Sequence, residues 1–197
     1  MVDNPKPYEG LSVGYALTGS FCTFEKTFEQ MRKLVNKGAT LLPILSPSSA
    51  SLDTRFGSAQ WVRQTAAEIC GREPFLTVVD TEPIGPKKLC DILIIAPCTG
   101  NTLGKLAGGI TDTGVLMAAK SHLRVGRPLL LAISTNDALG ASAKNIGLLL
   151  NTKHLFLLPM RQDDPLNKPY SLVANFDRLE EAMEAALHHR QLQPIFE

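Results

Sequence analysis

Paired cysteines are missing from this sequence. Cys22, Cys70, Cys90 and Cys98 contain no Cys-x-x-Cys spacing, which argues against a disulfide framework or a thiolate zinc site and fits reduced thiols used mostly as small core residues. Charge of one sign is missing too. The chain carries 20 Lys and Arg against 19 Asp and Glu, a formal net charge of +1, whereas binding a phosphate backbone demands a basic surface, so nucleic acid is excluded as a partner. No apolar run reaches the roughly 18 residues that span a bilayer. Met1 to Gly10 is polar with two prolines, so neither a membrane anchor nor a secretory leader is expected. Gly-x-Gly-x-x-Gly and Gly-x-x-x-x-Gly-Lys-Ser/Thr are both absent, which removes the dinucleotide fingerprint and the P-loop. The four histidines, His122, His154, His188 and His189, do not combine with Cys or Asp at metal-ligand spacing, and no metal site is expected. His122, next to Arg124 on a helical stretch, reads as a surface or interface residue, and His188 and His189 read as solvated.

What is present is the composition of a globular domain: 197 residues, 44% hydrophobic and 20% charged, enough to bury a core as one domain over 1–197 with a polar tail at 1–9. Six short apolar runs read as strands: Leu11–Leu17, Thr40–Leu45, Phe75–Val79, Ile92–Ala96, Leu129–Ile133 and His154–Leu158. Each is continuously apolar rather than alternating, as expected of strands covered on both faces. Helical patterns lie between them. Phe24, Phe28, Met31, Leu34 and Val35 recur at helical steps, with Gly38 at the stop. Ser58 can cap a helix that runs to Gly71, Thr111 or Asp112 can open one that ends before Gly126, Asp137 can start one towards Leu150, and Phe176–Leu187 supplies the last. Strand and helix alternate, which predicts an α/β three-layer sandwich with a parallel sheet. The irregular stretch 159–170, rich in Asp and Pro, is either an ordinary surface connection or a flap over a site.

Ligands of open parallel sheets sit beyond the carboxyl ends of the strands, where the winding reverses. Four of those ends carry hydroxyls or amides and almost no charge: Thr18-Gly19-Ser20 after the first run, Ser46-Pro47-Ser48-Ser49 after the second, Cys98-Thr99-Gly100-Asn101-Thr102 after the fourth and Ser134-Thr135-Asn136-Asp137 after the fifth. In the strand order 3-2-1-4-5-6, loops one and four flank the switch point and converge on one crevice. Helix N-caps would account for any single loop, but a phosphate-bearing, largely neutral ligand accounts for all four together. Cys98 is either a thiolate candidate at a helix N-terminus or a small packed residue.

These segments resemble the flavoprotein family that includes flavin-containing cysteine decarboxylases and flavin prenyltransferases. Thr18-Gly19-Ser20 and Pro97-Cys98-Thr99-Gly100-Asn101-Thr102 stand where the family has its first-strand turn and its Pro-Ala-Ser-x-Asn-Thr motif, and Leu103, Lys105 and Ala107 match the Leu-x-Lys-x-Ala stretch that follows. The chain departs from the decarboxylase branch. The position of that branch's histidine falls near Pro83, no cysteine follows Cys98, and Thr135-Asn136-Asp137 replaces the Met-Asn pattern. The Arg-Glu-Thr-Pro turn of the prenyltransferases is also absent. Ala16–Cys22, Cys98–Thr102, Ser134–Asp137 and Gln162–Pro165 are instead similar to a spore-former branch. Its members act as the B subunit of an oxidoreductase that makes dipicolinate, the calcium-binding dicarboxylate of endospores.

The resemblance implies a six-stranded Rossmann-like sheet, a homo-oligomer, and FMN as cofactor. Gly19, Ser20, Ser46, Thr99, Thr102 and Ser134 would lie about the flavin phosphate and ribityl chain, and Asn101 and Asn136 nearer the ring or substrate. The small dicarboxylate substrate would meet cations among Lys105, Arg161 and Lys168. Catalytic roles would fall to Asn136, Arg161 and either Asp163 or Asp164 as proton acceptor. An A subunit would be the partner and would bind NADP or NAD, in the mother-cell cytoplasm. The alternative role is a non-catalytic oligomeric scaffold or FMN-binding accessory subunit.

Overall fold

A computed structural model describes residues 6–197. In chain order the elements are β1 (Ser12–Leu17), α1 (Phe24–Asn36), β2 (Thr40–Leu45), α2 (Pro47–Ser51), α3 (Ala59–Cys70), α4 (Val78–Thr81), β3 (Ile92–Cys98), α5 (Gly100–Ala107), α6 (Gly114–Arg124), β4 (Leu129–Thr135), α7 (Ala143–Leu150), β5 (Leu155–Leu157), β6 (Met160–Arg161), β7 (Leu172–Ala174) and α8 (Leu179–Leu187). They form one seven-stranded sheet in the order β2-β1-β3-β4-β7-β6, with β5 also paired to β4. The pairs among β1 to β5 are parallel, while β7 runs antiparallel to both β4 and β6.

The unbroken apolar runs are explained by two cores, one on each face. Side chains alternate across a strand. Tyr15 and Leu17, Ile92 and Ile94, and Leu130 and Ala132 face the helices α1, α3 and α8. Ala16, Leu93 and Ile95, and Leu129, Leu131 and Ile133 face α5, α6 and α7. A strand buried on both faces has no solvent side to mark with polar residues.

The α/β sandwich follows the sequence reading, with one edge reduced and the other extended. Of Phe75–Val79, only Phe75 reaches the sheet. Its amide donates to the Pro43 carbonyl at 2.9 Å, and the Leu45 amide donates back at 3.0 Å. The strand stops there because Thr77 and Asp80 close a reciprocal capping box that starts α4, and such local bonds compete with a ladder. With Phe75 as a one-residue edge, the order 3-2-1-4-5-6 is kept. At the other edge, the segment from 159 to 174 adds two short antiparallel strands. Asp164 is used inside this segment: its carboxylate accepts from the Asn167 amide at 3.1 Å and its carbonyl accepts from the Lys168 amide at 2.8 Å. Two helices start later than expected. Thr113 caps α6, accepting from the Leu116 amide at 3.3 Å. The chain makes a turn from Asp137 to Ser142 before α7 begins. Residues 1–5 of the polar tail lie outside the described residues, and the tail's remainder is anchored: Tyr8 is buried and donates to Glu184 at 2.8 Å on α8.

His122 corrects the surface assignment. It is fully buried. Nε2–H donates to the Pro128 carbonyl at 3.0 Å, since a carbonyl only accepts, and Nδ1 is left to accept from the Cys90 thiol at 3.6 Å. Burial lowers its pKa from 6.5 to about 4, outweighing the Pro128 bond. Among the described residues no helix is long and apolar enough to cross a membrane, and no group of three or more His, Cys, Asp or Glu could hold a metal ion.

A group whose folded pKa lies below its unfolded value makes the unfolded state the better proton binder between the two values. Folding stability should therefore hold above about pH 7 and fall by up to about 3 kcal/mol as pH drops from 6.5 to 4, the range set by the His122 shift. Urea unfolding across that range checks it, and His122→Gln should flatten the slope whatever its own stability.

Candidate functional site

The switch point lies between β1 and β3, because the chain winds outward to β2 on one side and to β4 on the other. Thr18, buried at the end of β1, joins the two loops that leave it. Its hydroxyl donates to the Pro97 carbonyl at 2.8 Å and accepts from the Thr99 amide at 3.0 Å. The Ala96–Pro97 peptide is cis, and the ladder between β3 and β4 shifts register between Ile95 and Cys98. Two cavities open at this point. One, of about 460 Å³, is lined by Gly19, Ser20, Phe21, Cys22, Arg55, Phe56, Thr99, Ser134, Asn136, Asp163, Lys168 and Ser171, among others. The second, of about 340 Å³, is lined by Thr18, Gly19, Phe21, Ser46, Ser48, Thr99, Asn101, Thr102, Lys105 and Thr113, among others. Both volumes are of small-molecule size, and the two cavities share Gly19, Phe21 and Thr99 as a common wall.

Gly19 and Asn101 thus open onto the same side of the sheet. Ser46, Asn101 and Thr102 sit at the smaller cavity, Ser20, Ser134, Asn136 and Asp163 at the larger, and Gly19 and Thr99 at both. Arg161 lines neither. It is exposed on the edge strand β6, opposite Val173, and its charge acts on Glu197.

Several of the hydroxyls are already engaged. Ser46 caps α2, accepting from the Ser49 amide at 3.2 Å. Thr99 caps α5, accepting from the Thr102 amide at 3.3 Å, and donates to the Thr102 hydroxyl at 3.1 Å. The cap leaves the first two amides of α5, those of Gly100 and Asn101, without a partner in the described residues, the usual state of a helix start and one available to an anion; of the two residues, Asn101 lines the smaller cavity. Ser134 is held in the sheet, accepting from the Ala174 amide at 3.4 Å.

The charges around the two cavities are mostly matched. Lys105 pairs with Asp112 at 2.6 Å and Lys168 with Asp163 at 3.2 Å. Burial pushes the Asp163 carboxyl up, but the neighbouring Ser171 hydroxyl and the bond from Lys168 outweigh it and hold the group below the ordinary carboxylate range. Asp163 is the only carboxylate on the larger cavity among the described residues. Cys98 is fully buried, and burial pushes its thiol up to about 12. It is a small packed residue, and the thiolate reading falls away. Arg55 and Phe56 carried no signal in the sequence beyond a turn before Ser58, because their place at the larger cavity depends on tertiary packing.

One clamp holds the far wall. Asp137 accepts from the Thr135 hydroxyl at 2.7 Å and from the Ser142 hydroxyl at 3.1 Å. Gly100 packs so closely on this turn that a Cβ would lie 2.8 Å from both Asp137 Oδ1 and Thr135 Oγ1. The α5 N-terminus and the β4 turn are therefore fixed against each other. Asp137→Ala should cost about 1–3 kcal/mol in thermal or urea unfolding, since it leaves two part-buried hydroxyls without their acceptor. An unchanged midpoint would show that the clamp carries no stability.

The chain is 47% identical over 188 residues to the B subunit of dipicolinate synthase from Bacillus subtilis (strain 168), covering 95% of this chain and 94% of that protein. A crystal structure of the B subunit of dipicolinate synthase from Bacillus halodurans C superposes with a TM-score of 0.88 at 42% identity, covering 96% of this chain and 97% of the other. More distant structures share the fold. The FMN-dependent cysteine decarboxylase SpaF gives a TM-score of 0.62 at 17% identity, over 94% of this chain and 98% of its own. HAL3 from Cryptococcus neoformans gives 0.68 at 15%, over 90% and 96%. The family model described as Flavoprotein matches residues 1–171, and with these relatives it shows that the chain belongs to the Flavoprotein family.

Proposed function

We propose that this chain is the B subunit of a dipicolinate synthase, that it holds FMN in the double cavity between β1 and β3, and that it acts with an A subunit carrying NADP or NAD. The observation that carries the reading is the meeting of two loops at Thr18 around a cradle of uncharged donors, in a chain 47% identical to a dipicolinate synthase B subunit over 95% of its length. Those donors suit FMN. The free amides of Gly100 and Asn101 and the hydroxyl of Ser20 match a phosphate and a polyol chain. The Phe21 ring forms part of the wall shared by the two cavities. When bound, FMN supplies a hydride acceptor.

The residues of this chain do the rest. Aromatisation of a dihydrodipicolinate-type ring releases a hydride and a proton. FMN, held by this chain, or a nicotinamide held by the partner would supply the hydride acceptor. The proton goes to a base, and Asp163, ionised and facing the larger cavity, is the carboxylate placed to take it. Asn136 on the same cavity orients the ring through its amide, Lys168 keeps Asp163 charged until the proton arrives, and Leu172 and Val173 of β7 shield one side from water. Arg161, on β6, would act only where the edge strand meets a neighbouring copy in a homo-oligomer. The reading places the protein in the mother-cell cytoplasm of a spore-forming bacterium.

Product formation by this chain alone, by its partner alone and by the two together tests the proposal. Turnover should require both. Asp163→Asn should lower the rate of the pair by a factor on the order of 10² to 10⁴, as expected for loss of a positioned base, while the variant still folds and binds FMN. Full turnover by the partner alone would leave this chain the role of an accessory scaffold.

A further inference from the structure

The segment between α2 and α3 is a tight hairpin rather than a loose connection. Thr54 and Gly57 exchange both backbone hydrogen bonds, at 3.0 and 3.1 Å. The Asp53 carboxylate accepts from the Ala59 amide at 2.8 Å and the Thr54 hydroxyl accepts from the Phe56 amide at 3.2 Å. Gly57 has a φ of +144°, and a Cβ there would lie 2.5 Å from the Trp61 ring, so the hairpin is seated directly on α3. Its tip is Arg55 and Phe56, and the tip borders the larger cavity.

The main chain therefore fixes where Arg55 stands. Its guanidinium lies 4.7 Å from the centre of the Phe56 ring, an arrangement that leaves the guanidinium edge free to donate. Among the described residues Arg55 has no carboxylate partner, whereas the other cation on this cavity, Lys168, is taken by Asp163. The larger cavity thus holds one matched pair and one unmatched guanidinium, and its remaining polar groups are neutral. A planar fork with no internal partner beside such a cavity is suited to a carboxylate from outside.

We propose that Arg55 binds one carboxylate of the substrate and makes this cavity selective for a dicarboxylate over the corresponding monocarboxylate. This rests on the functional reading above and adds the residue that sets its substrate class. Phe56 holds the guanidinium plane and the Thr54–Gly57 turn holds its position, so the carboxylate meets a pre-oriented donor. Lys in its place would supply charge without the two-pronged geometry.

The test is isothermal titration of pyridine-2,6-dicarboxylate and of pyridine-2-carboxylate into the full chain with FMN in the buffer. The wild type should bind the dicarboxylate at least about tenfold more tightly than the monocarboxylate. Arg55→Gln should bring that ratio close to one, and Arg55→Lys should restore only part of it. Neither variant should change the unfolding midpoint, because Arg55 is exposed and has no hydrogen bond or ion pair within the described residues. A wild-type preference retained in Arg55→Gln overturns the inference and leaves the functional reading standing. A wild type that binds neither pyridine acid overturns both.

Discussion

Thr18 is a single buried hydroxyl on which the geometry of the site depends. It stands where β1 ends, 1% exposed, and bonds both the carbonyl of Pro97 and the amide of Thr99. An isolated pair of parallel strands would send its two outgoing loops wherever their helices pack. Here one side chain satisfies a donor and an acceptor of the neighbouring loop, and leaving both unmade in the interior would cost about 1–3 kcal/mol for each group. Because the bonds cross the point where the winding reverses, they bring Gly19 and Thr99 together as a wall shared by two cavities.

The opposite wall is built by a different device. The parallel sheet would normally end at β5, yet β5 covers β4 only from Leu129 to Leu131. The exposed end of β4 is taken by β7, which pairs with Ser134 and Thr135 in the antiparallel sense. That pairing carries Leu172 and Val173 to the cavity and sets Asp163, Lys168 and Ser171 at its rim. Asp137 then closes the turn beyond β4 through Thr135 and Ser142, and Gly100 at the start of α5 packs directly on that turn. Polar but mostly neutral walls held by backbone and short side chains are suited to a ligand that brings its own charge.

The parts of this arrangement that were legible in the sequence are those governed by local bonds. Ser58 caps α3, Gly71 ends it in the left-handed conformation, and the hydroxyls at strand ends mark Ser46 and Thr99. In the structure Ser46 and Thr99 both cap helices and line the cavities. What the sequence could not show depends on distant neighbours. The Phe75–Val79 run looks like a strand until Thr77 and Asp80 close on each other. His122 looks exposed beside Arg124, but Pro128 and Cys90 bury it. Arg55 looks like any turn residue until the fold sets its hairpin against Trp61 at the cavity mouth.

The most direct measurement is a crystal structure of the chain grown with FMN. The account predicts the flavin in the double cavity, with its phosphate or ribityl oxygens against Gly19, Ser20 and the amides of Gly100 and Asn101. Flavin bound elsewhere, for example in the groove of about 690 Å³ between α2 and α3 lined by Arg63 and Gln64, would contradict it.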